Sequence, residues 1–312
     1  MTPDLTPPLV TILMGVLDGA TYLPAQLASI AGQSHANWHL VCSDDGSTDA
    51  SLALLARFAR DHPGRVSLRD GPARGFSANY MQMLRALDVR PGHVALADQD
   101  DIWLPDKIAC ALDLLAGAGD TPTLYCGRRL SFHATQRRMY ASALPRHPPG
   151  LRNALAENIA SGNTIVMNPA MAALARQAAL RTGAVFAHDW WLYLLATACG
   201  GRVIFDSGPP KVLYRQHGGN AIGAGRSLRQ QLRRKIGVLR GEFRDRVGGN
   251  LAALAAIADL LEPEALEAVL SFALARQRSG VGRMLALRRL GLYRQGLGGT
   301  LGFWGAASLG RV

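Results

Sequence analysis

Hydrophobic positions in the first half of the chain follow two alternating rhythms. Leu9–Val16 is a continuous apolar run, as in a strand buried on both faces. Leu23, Leu27 and Ile30 then recur at helical spacing, and Trp38–Cys42 reads as a second strand. Ser47 or Thr48 is placed to cap a helix whose stripe is Leu52, Leu55 and Phe58. Val66–Leu68 reads as a third strand, GPARGFS (71–77) as a loop, and a helix follows to about Leu87. His93–Ala97 is a further buried strand that stops at Asp98-Gln99-Asp100-Asp101. Pro105 then opens a helix carrying Ile108, Leu112 and Leu115. Short strands alternating with amphipathic helices predict an α/β fold, a Rossmann-like, mostly parallel sheet flanked by helices.

The second half is less regular. Thr123–Leu130 and Thr164–Met167 read as strands, Asn168-Pro169 as a cap opening an alanine-rich helix, and His188–Ala198 as a helix. Val203–Phe205 and Lys211–Tyr214 read as closing strands. Beyond Gly225 the pattern becomes helical and basic, with glycine breaks at 248–249 and 298–299. The expected division is a domain over 1–225 and a basic helical extension over 226–312.

Charge supports that division. The formal charge is +11; from Arg226 onward there are 15 basic and 6 acidic residues, against 19 and 17 before it. The segment 226–246, RSLRQQLRRKIGVLRGEFRDR, places Leu228, Leu232, Ile236, Leu239 and Phe243 at spacings of three or four between arginines. Such a helix suits an anionic membrane surface, and equally a packed helix with solvated arginines. Without stacking aromatics or a nucleic-acid motif, no nucleic-acid partner is expected. Apolar residues make up 48 % of the chain, enough for a large core. The N-terminus lacks the basic and apolar regions of a signal peptide, and no run approaches the ~20 apolar residues of a spanning helix. Cys42, Cys110, Cys126 and Cys199 are widely separated, as expected of reduced thiols. A cytoplasmic protein, peripheral on the inner membrane, is the expectation.

Two acidic clusters stand directly after buried strands: Asp44-Asp45-Gly46-Ser47-Thr48-Asp49 and Asp98-Gln99-Asp100-Asp101. In open parallel sheets ligands bind beyond the carboxyl ends of the strands, so both are expected to line one crevice. Asp-x-Asp offers hard oxygen ligands to Mg²⁺ or Mn²⁺ beside phosphates. Aspartates also favour turns and caps, which by itself accounts for DDGSTD. Three carboxylates in four residues repel one another and ask for a cation.

With these pieces in their order, the chain resembles a family-two glycosyltransferase of the GT-A fold. The resemblance rests on VTILMGVLDGATYLPAQLASIAGQSHANWHLVCSDDGSTD (10–49), ALADQDDIWLPDKI (95–108), SGNTIVMN (161–168), HDWWLYLLA (188–196) and VLYRQHGGN (212–220). It is nearest the subgroup of rhamnosyltransferases and other O-antigen or capsule transferases. It implies a nucleotide-sugar donor, dTDP-rhamnose first and a UDP-hexose next, and a glycan or lipid-linked acceptor in cell-surface glycan synthesis. Asp45, with Asp44 beside it, would meet the base. Asp98 would touch the ribose or assist the metal, Asp100 would ligate Mn²⁺ or Mg²⁺, and Arg215 and His217 would lie by the diphosphate, His217 as an additional metal ligand. Asp189 falls where these enzymes keep the general base, though helix capping also suits it. The first strand usually ends in proline in this family; here it reads MGVLDG.

The implied chemistry is single displacement with inversion, a carboxylate taking the acceptor's hydroxyl proton. Trp190 or Trp191 would face the acceptor, with Gly162 near it, and Arg74 would reach phosphate from its glycine-flanked loop. A sugar nucleotidyltransferase or an inactive assembly subunit are the competing readings. The first usually carries a glycine-rich basic loop after strand one, which LDGATYL is not.

Overall fold

The computed structural model describes residues 7–88, 91–133, 136–217 and 240–312. Its main sheet has seven strands in the order β10-β6-β9-β4-β1-β2-β3. These are β1 (Val10–Val16), β2 (Trp38–Asp44), β3 (Val66–Asp70), β4 (His93–Asp98), β6 (Thr123–Gly127), β9 (Val166–Met167) and β10 (Arg202–Asp206). β4, β1, β2 and β3 run parallel, β10 is parallel to β6, and β9 lies antiparallel between β4 and β6. The continuous apolar runs are explained by cover on both faces: Ile12, Met14 and Leu23 belong to one hydrophobic cluster, Leu13, Val41 and Tyr80 to another. Helices α1 (Leu23–Ala31), α2 (Ser51–Asp61), α3 (Phe76–Arg85) and α4 (Lys107–Leu115) connect these strands.

A second sheet, β5-β11-β7-β8, packs β5 (Ile102–Trp103), β7 (Arg129–His133), β8 (Gln136–Ala141) and β11 (Val212–Gln216). The run read as one strand over 123–130 is divided at Arg128. Thr123–Gly127 stays in the first sheet, and Arg129 onward turns into the second. The Lys211–Tyr214 strand is likewise β11, which carries Arg215 to the acidic loop.

The expected cap of α2 also differs. The helix begins at Ser51, because Ser47 and Thr48 are held in a turn by Asp44 and Asp18. Asn168 caps α6 (Pro169–Ala179) as expected, its Oδ1 accepting from Met171 N at 2.9 Å.

α5 (Leu151–Ala154) precedes α7 (His188–Ala198), which is buried nearly all round. One side of α7 meets the sheet layer; the other meets α8 (Glu242–Ala255) and the helices beyond it. These are α9 (Pro263–Gln277), α10 (Gly280–Arg289) and α11 (Leu297–Ser308). Val247, Leu254, Phe272, Leu287 and Phe303 share one core cluster with Trp191 and Leu195. Most of the 226–246 segment, and the boundary drawn at 225/226, lie outside the described residues. Phe243, at its far end, packs its ring 6.1 Å from Trp190 and 6.2 Å from Phe303. All four cysteines are free, and burial pushes the Cys42 and Cys126 thiols up. Among the described residues no helix is long and apolar enough to cross a membrane.

Candidate active site

Strand register builds the site. Val16 of β1 sits opposite Asp44 of β2, and Gly15 sits opposite Asp98 of β4. The two acidic clusters therefore flank the carboxyl end of β1, two strand spacings or about 10 Å apart.

The first cluster is organised by backbone donors. Asp44 Oδ2 accepts from Ser47 N at 2.9 Å. Asp45 holds the 71–75 loop, with Oδ1 accepting from Ala73 N at 2.8 Å and Oδ2 from Gly75 N at 2.7 Å. Gly71 is required there, since a Cβ would lie 2.7 Å from Asp45 Oδ1. Arg74, between the two donors, is exposed. Asp45's oxygens each retain a lone pair, so anchoring the loop and accepting from a ligand are compatible.

The departure at MGVLDG has a structural counterpart. Gln99 makes a two-point amide contact with Leu17, its Oε1 accepting from Leu17 N at 2.9 Å and its Nε2 donating to Leu17 O at 2.8 Å. Asp18 adopts φ +46°, and Asp18 N, Gly19 N and Ala20 N donate to Ser47, Ser51 and Asp49. Side chains of the first cluster thus shape this loop where the family pattern has proline.

In the second cluster, Asp98, Asp100 and Asp101 each bring a carboxylate oxygen within 4.8 Å of the others. Burial first, then Asp100 and Asp189, push Asp98 up to about 7, against Arg129 and the Tyr80 hydroxyl. Burial first, then Asp98 and Asp100, hold Asp101 well above the ordinary carboxylate range. Crowded, desolvated hard oxygens of this kind fit a divalent cation such as Mg²⁺ or Mn²⁺. Asp101 is fully buried and joins three segments, accepting from Asn163 Nδ2 at 2.5 Å and from Arg215 N at 3.2 Å. Arg215 Nε donates to Asp100 O at 3.0 Å, and His217 Nε2 lies 2.7 Å from Asp100 Oδ2. The His217 ring stacks on Tyr22 at 4.5 Å. Beneath the cluster Lys107 is buried with its Nζ 3.5 Å from the Trp103 ring centre; burial lowers it to about 7 despite Asp101 and Asp98.

Asp189 stands in the first turn of α7. Its Oδ2 accepts from Gly162 N at 3.2 Å and its Oδ1 from Trp190 N at 2.7 Å. Burial raises its pKa, while these two N–H donors and Arg129 pull it back. Arg129 donates to Ser161 Oγ and lies over Tyr214, so one fixed cation acts on both Asp98 and Asp189. His188 stacks on Tyr80 at 3.9 Å, and burial lowers its pKa to about 3, so the ring is neutral.

A cavity of about 1060 Å³ opens beside Asp189. Arg129, Phe186, Trp190 and Phe205 line one part; Arg240, Phe243 and Arg246 of the C-terminal helices line another. Trp190 reaches this wall while its Nε1 donates to Ala154 O at 2.7 Å. Trp191 does not: it is fully buried in the core, which removes it from the expected acceptor contacts. Gly162 is also buried, and it holds Asp189 instead of lining the cavity. A Cβ there would come within 3.1 Å of His188 Nε2.

Asp101, Gln99, Arg129 and Phe243 are site residues that the sequence does not single out, and Asn163, which sequence places by the acceptor with Gly162, instead holds Asp101. Asp101 alone carried a signal, as the third carboxylate of its cluster.

The chain and its fold are similar to known glycosyltransferases. The chain is 24 % identical over 244 residues to the dTDP-rhamnosyl transferase RfbG of Shigella flexneri, covering 74 % of this chain and 80 % of that protein. It is 27 % identical over 108 residues to the UDP-Glc:α-D-GlcNAc-diphosphoundecaprenol β-1,3-glucosyltransferase WfgD of Escherichia coli, covering 34 % and 41 %. Its fold resembles S. aureus TarS 1-349 in complex with UDP-GlcNAc, with TM-score 0.58 and 13 % identity over 90 % of this chain and 80 % of the other. It also resembles the mannosyltransferase PcManGT of Pyrobaculum calidifontis, in complex with GDP-Man and Mn²⁺, with TM-score 0.51 and 20 % identity over 98 % and 87 %. Residues 11–182 match the model of Glycosyl transferase family 2. They include both acidic clusters and the loop that holds Asp189, and on this match the chain belongs to glycosyl transferase family 2.

Proposed function

We propose that this glycosyltransferase moves a sugar from a nucleoside diphosphate to an acceptor hydroxyl with inversion at the anomeric carbon, dependent on Mn²⁺ or Mg²⁺. The observation that carries the reading is Asp189: a half-buried carboxylate, fixed by two backbone N–H groups, that opens on a large cavity while coupled to the acidic cluster. In the proposed reaction the acceptor hydroxyl gives its proton to Asp189. Its oxygen bonds to the sugar C1 as the C1–O bond to the diphosphate breaks, and the nucleoside diphosphate leaves. Asp100 and Asp98, with His217 at Asp100, would hold the divalent ion, which when bound neutralises charge on the leaving diphosphate. Asp45 and Asp44 are assigned to the base side, and Arg215 and Arg74 to phosphate.

The donor favoured is dTDP-rhamnose, on the strength of the RfbG relative that spans most of the chain, with a UDP-hexose second. The acceptor is assigned to the cavity, against Trp190 and the C-terminal wall, as a glycan or lipid-linked saccharide. A site of action at the anionic, cytoplasmic face of the inner membrane goes with a lipid-linked acceptor.

The test is a thermal-shift panel of UDP, dTDP, GDP and CDP, each with and without Mn²⁺. One nucleotide should stabilise the protein only with the metal, by about 2.7 kcal/mol at roughly 100-fold saturation. Indifference to every nucleotide with metal present would overturn the assignment.

A further inference from the structure

The C-terminal helices carry a second concentration of charge, on a cavity that shares no lining residue with the one beside Asp189. This cavity, about 380 Å³, is lined by Arg244, Arg276 and Arg283 together with Leu251, Ala273 and Val312. The arginines come from α8, α9 and α10. Arg276 Nη2 donates to Arg244 O at 2.8 Å, Arg283 Nε to Arg276 O at 2.9 Å and Arg283 Nη1 to Ala307 O at 3.1 Å. All three acceptors are neutral carbonyls. The Nε of Arg276 is buried and has no partner among the described residues. Among the described residues the one carboxylate paired with these three cations is Asp245, 3.5 Å from Arg244 and largely exposed.

The charge is therefore unbalanced where it is least solvated. Burial first, then Arg244 and Arg283, hold the Arg276 guanidinium below its ordinary value. Binding helix carbonyls explains where Arg276 and Arg283 are anchored. It does not explain why three cations from three helices border one cavity, nor the donor left over at Arg276. A tetrahedral oxyanion supplies what is missing: several acceptors on one centre and a charge opposite to the surplus. The backbone makes way for Arg283. Gly310 has φ +73°, and a Cβ on it would lie 2.8 Å from Arg283 Nη1.

We propose that this cavity is a phosphate-binding site, taking a phosphate monoester or diester on Arg244, Arg276 and Arg283. The proposal is independent of the transferase reading. Two sources present the same group: a soluble phosphate, or the headgroup of an anionic phospholipid, whose apolar part would find Leu274 exposed on α9.

The test uses the full chain in low salt with a chelator present, so that the acidic cluster holds no metal. Inorganic phosphate is titrated calorimetrically, and vesicles of phosphatidylglycerol or of phosphatidylcholine are assayed by co-sedimentation. Arg244→Gln removes one cation whose side chain holds no helix carbonyl; Arg276→Gln removes the central one, and Arg276→Lys keeps its charge. Each Gln variant is expected to weaken binding about tenfold or more, with partial retention in Arg276→Lys and unchanged turnover on a soluble acceptor. Arginine-dependent binding of phosphate alone supports the site with a soluble ligand; arginine-dependent binding of phosphatidylglycerol vesicles as well supports the lipid. If Arg276→Gln fails to fold, Arg244→Gln decides. Absence of binding by the parent protein, or binding indifferent to Arg244→Gln, overturns the proposal.

Discussion

Replacing Asp189 by Asn separates the base from the scaffold. The amide keeps an oxygen for Trp190 N, now 2.7 Å from Oδ1, but presents an NH₂ where Oδ2 accepts from Gly162 N at 3.2 Å. One charge-assisted bond is lost, about 1.5–3 kcal/mol. Opposing this, a carboxylate that burial pushes toward protonation is replaced by a neutral group. The two effects largely cancel, so the variant should fold with a stability within about 2 kcal/mol of the parent. Catalysis has no such compensation. Losing a positioned general base costs roughly 10²–10⁴-fold, or about 2.7–5.5 kcal/mol of barrier. Initial rates of nucleoside diphosphate release at saturating donor measure that loss, and calorimetric titration of donor with Mn²⁺ measures binding, expected to be unchanged. A rate within about tenfold of the parent, or donor binding lost together with turnover, would refute the assignment of Asp189 as base.

Other consequences concern charge at the site. Because burial raises Asp189, the active ionised base appears only as pH climbs through that raised value; Arg129→Gln, removing a cation that favours ionisation, should move the acid limb of the pH–rate profile to higher pH, and an unmoved limb would count against Arg129. Lys107, with a folded pKa of about 7, holds fewer protons than in the unfolded chain between about pH 7 and 10.4. Its penalty is therefore greatest at and below pH 7 and fades as pH rises, so any advantage of Lys107→Met in denaturant unfolding should shrink from pH 7 to 10; a constant difference would argue against the buried cation. His217→Ala removes the 2.7 Å contact to Asp100 and the Tyr22 stack, and should raise the Mn²⁺ concentration needed for nucleotide-induced stabilisation about 10–100-fold, read by metal titration.

The convergence of the two acidic clusters was legible in the sequence because its signals are local. A buried strand followed at once by carboxylates marks a sheet edge, and the parallel register of β1 with β2 and β4 brings the two clusters together. What was not legible depends on convergence. Arg129 follows the break at Arg128, and no periodicity shows that a strand leaves one sheet for another there. Asn163, a plausible turn residue before a strand, meets Asp101 across 62 positions, and Gln99 meets Leu17 across 82. Each is a polar side chain whose partner only the fold supplies.

α7 shows the same limit and has the larger consequence. Its sequence is apolar on every face, which says that it is enclosed but not by what. The enclosure is the sheet layer on one side and α8 on the other, so the first turn, which carries Asp189, is held from both directions. If Asp189 is the base, as proposed, a carboxylate fixed this firmly does not adjust to different acceptors. On that proposal differences in acceptor fall to the opposite wall, where Arg240, Phe243 and Arg246 line the cavity from beyond the segment matched to the family. Residues 11–182 hold both acidic clusters, while Asp189, Arg215 and His217 lie beyond them; the C-terminal helices, expected from their helical and basic pattern to form an extension, supply part of the cavity wall that the proposed function assigns to the acceptor.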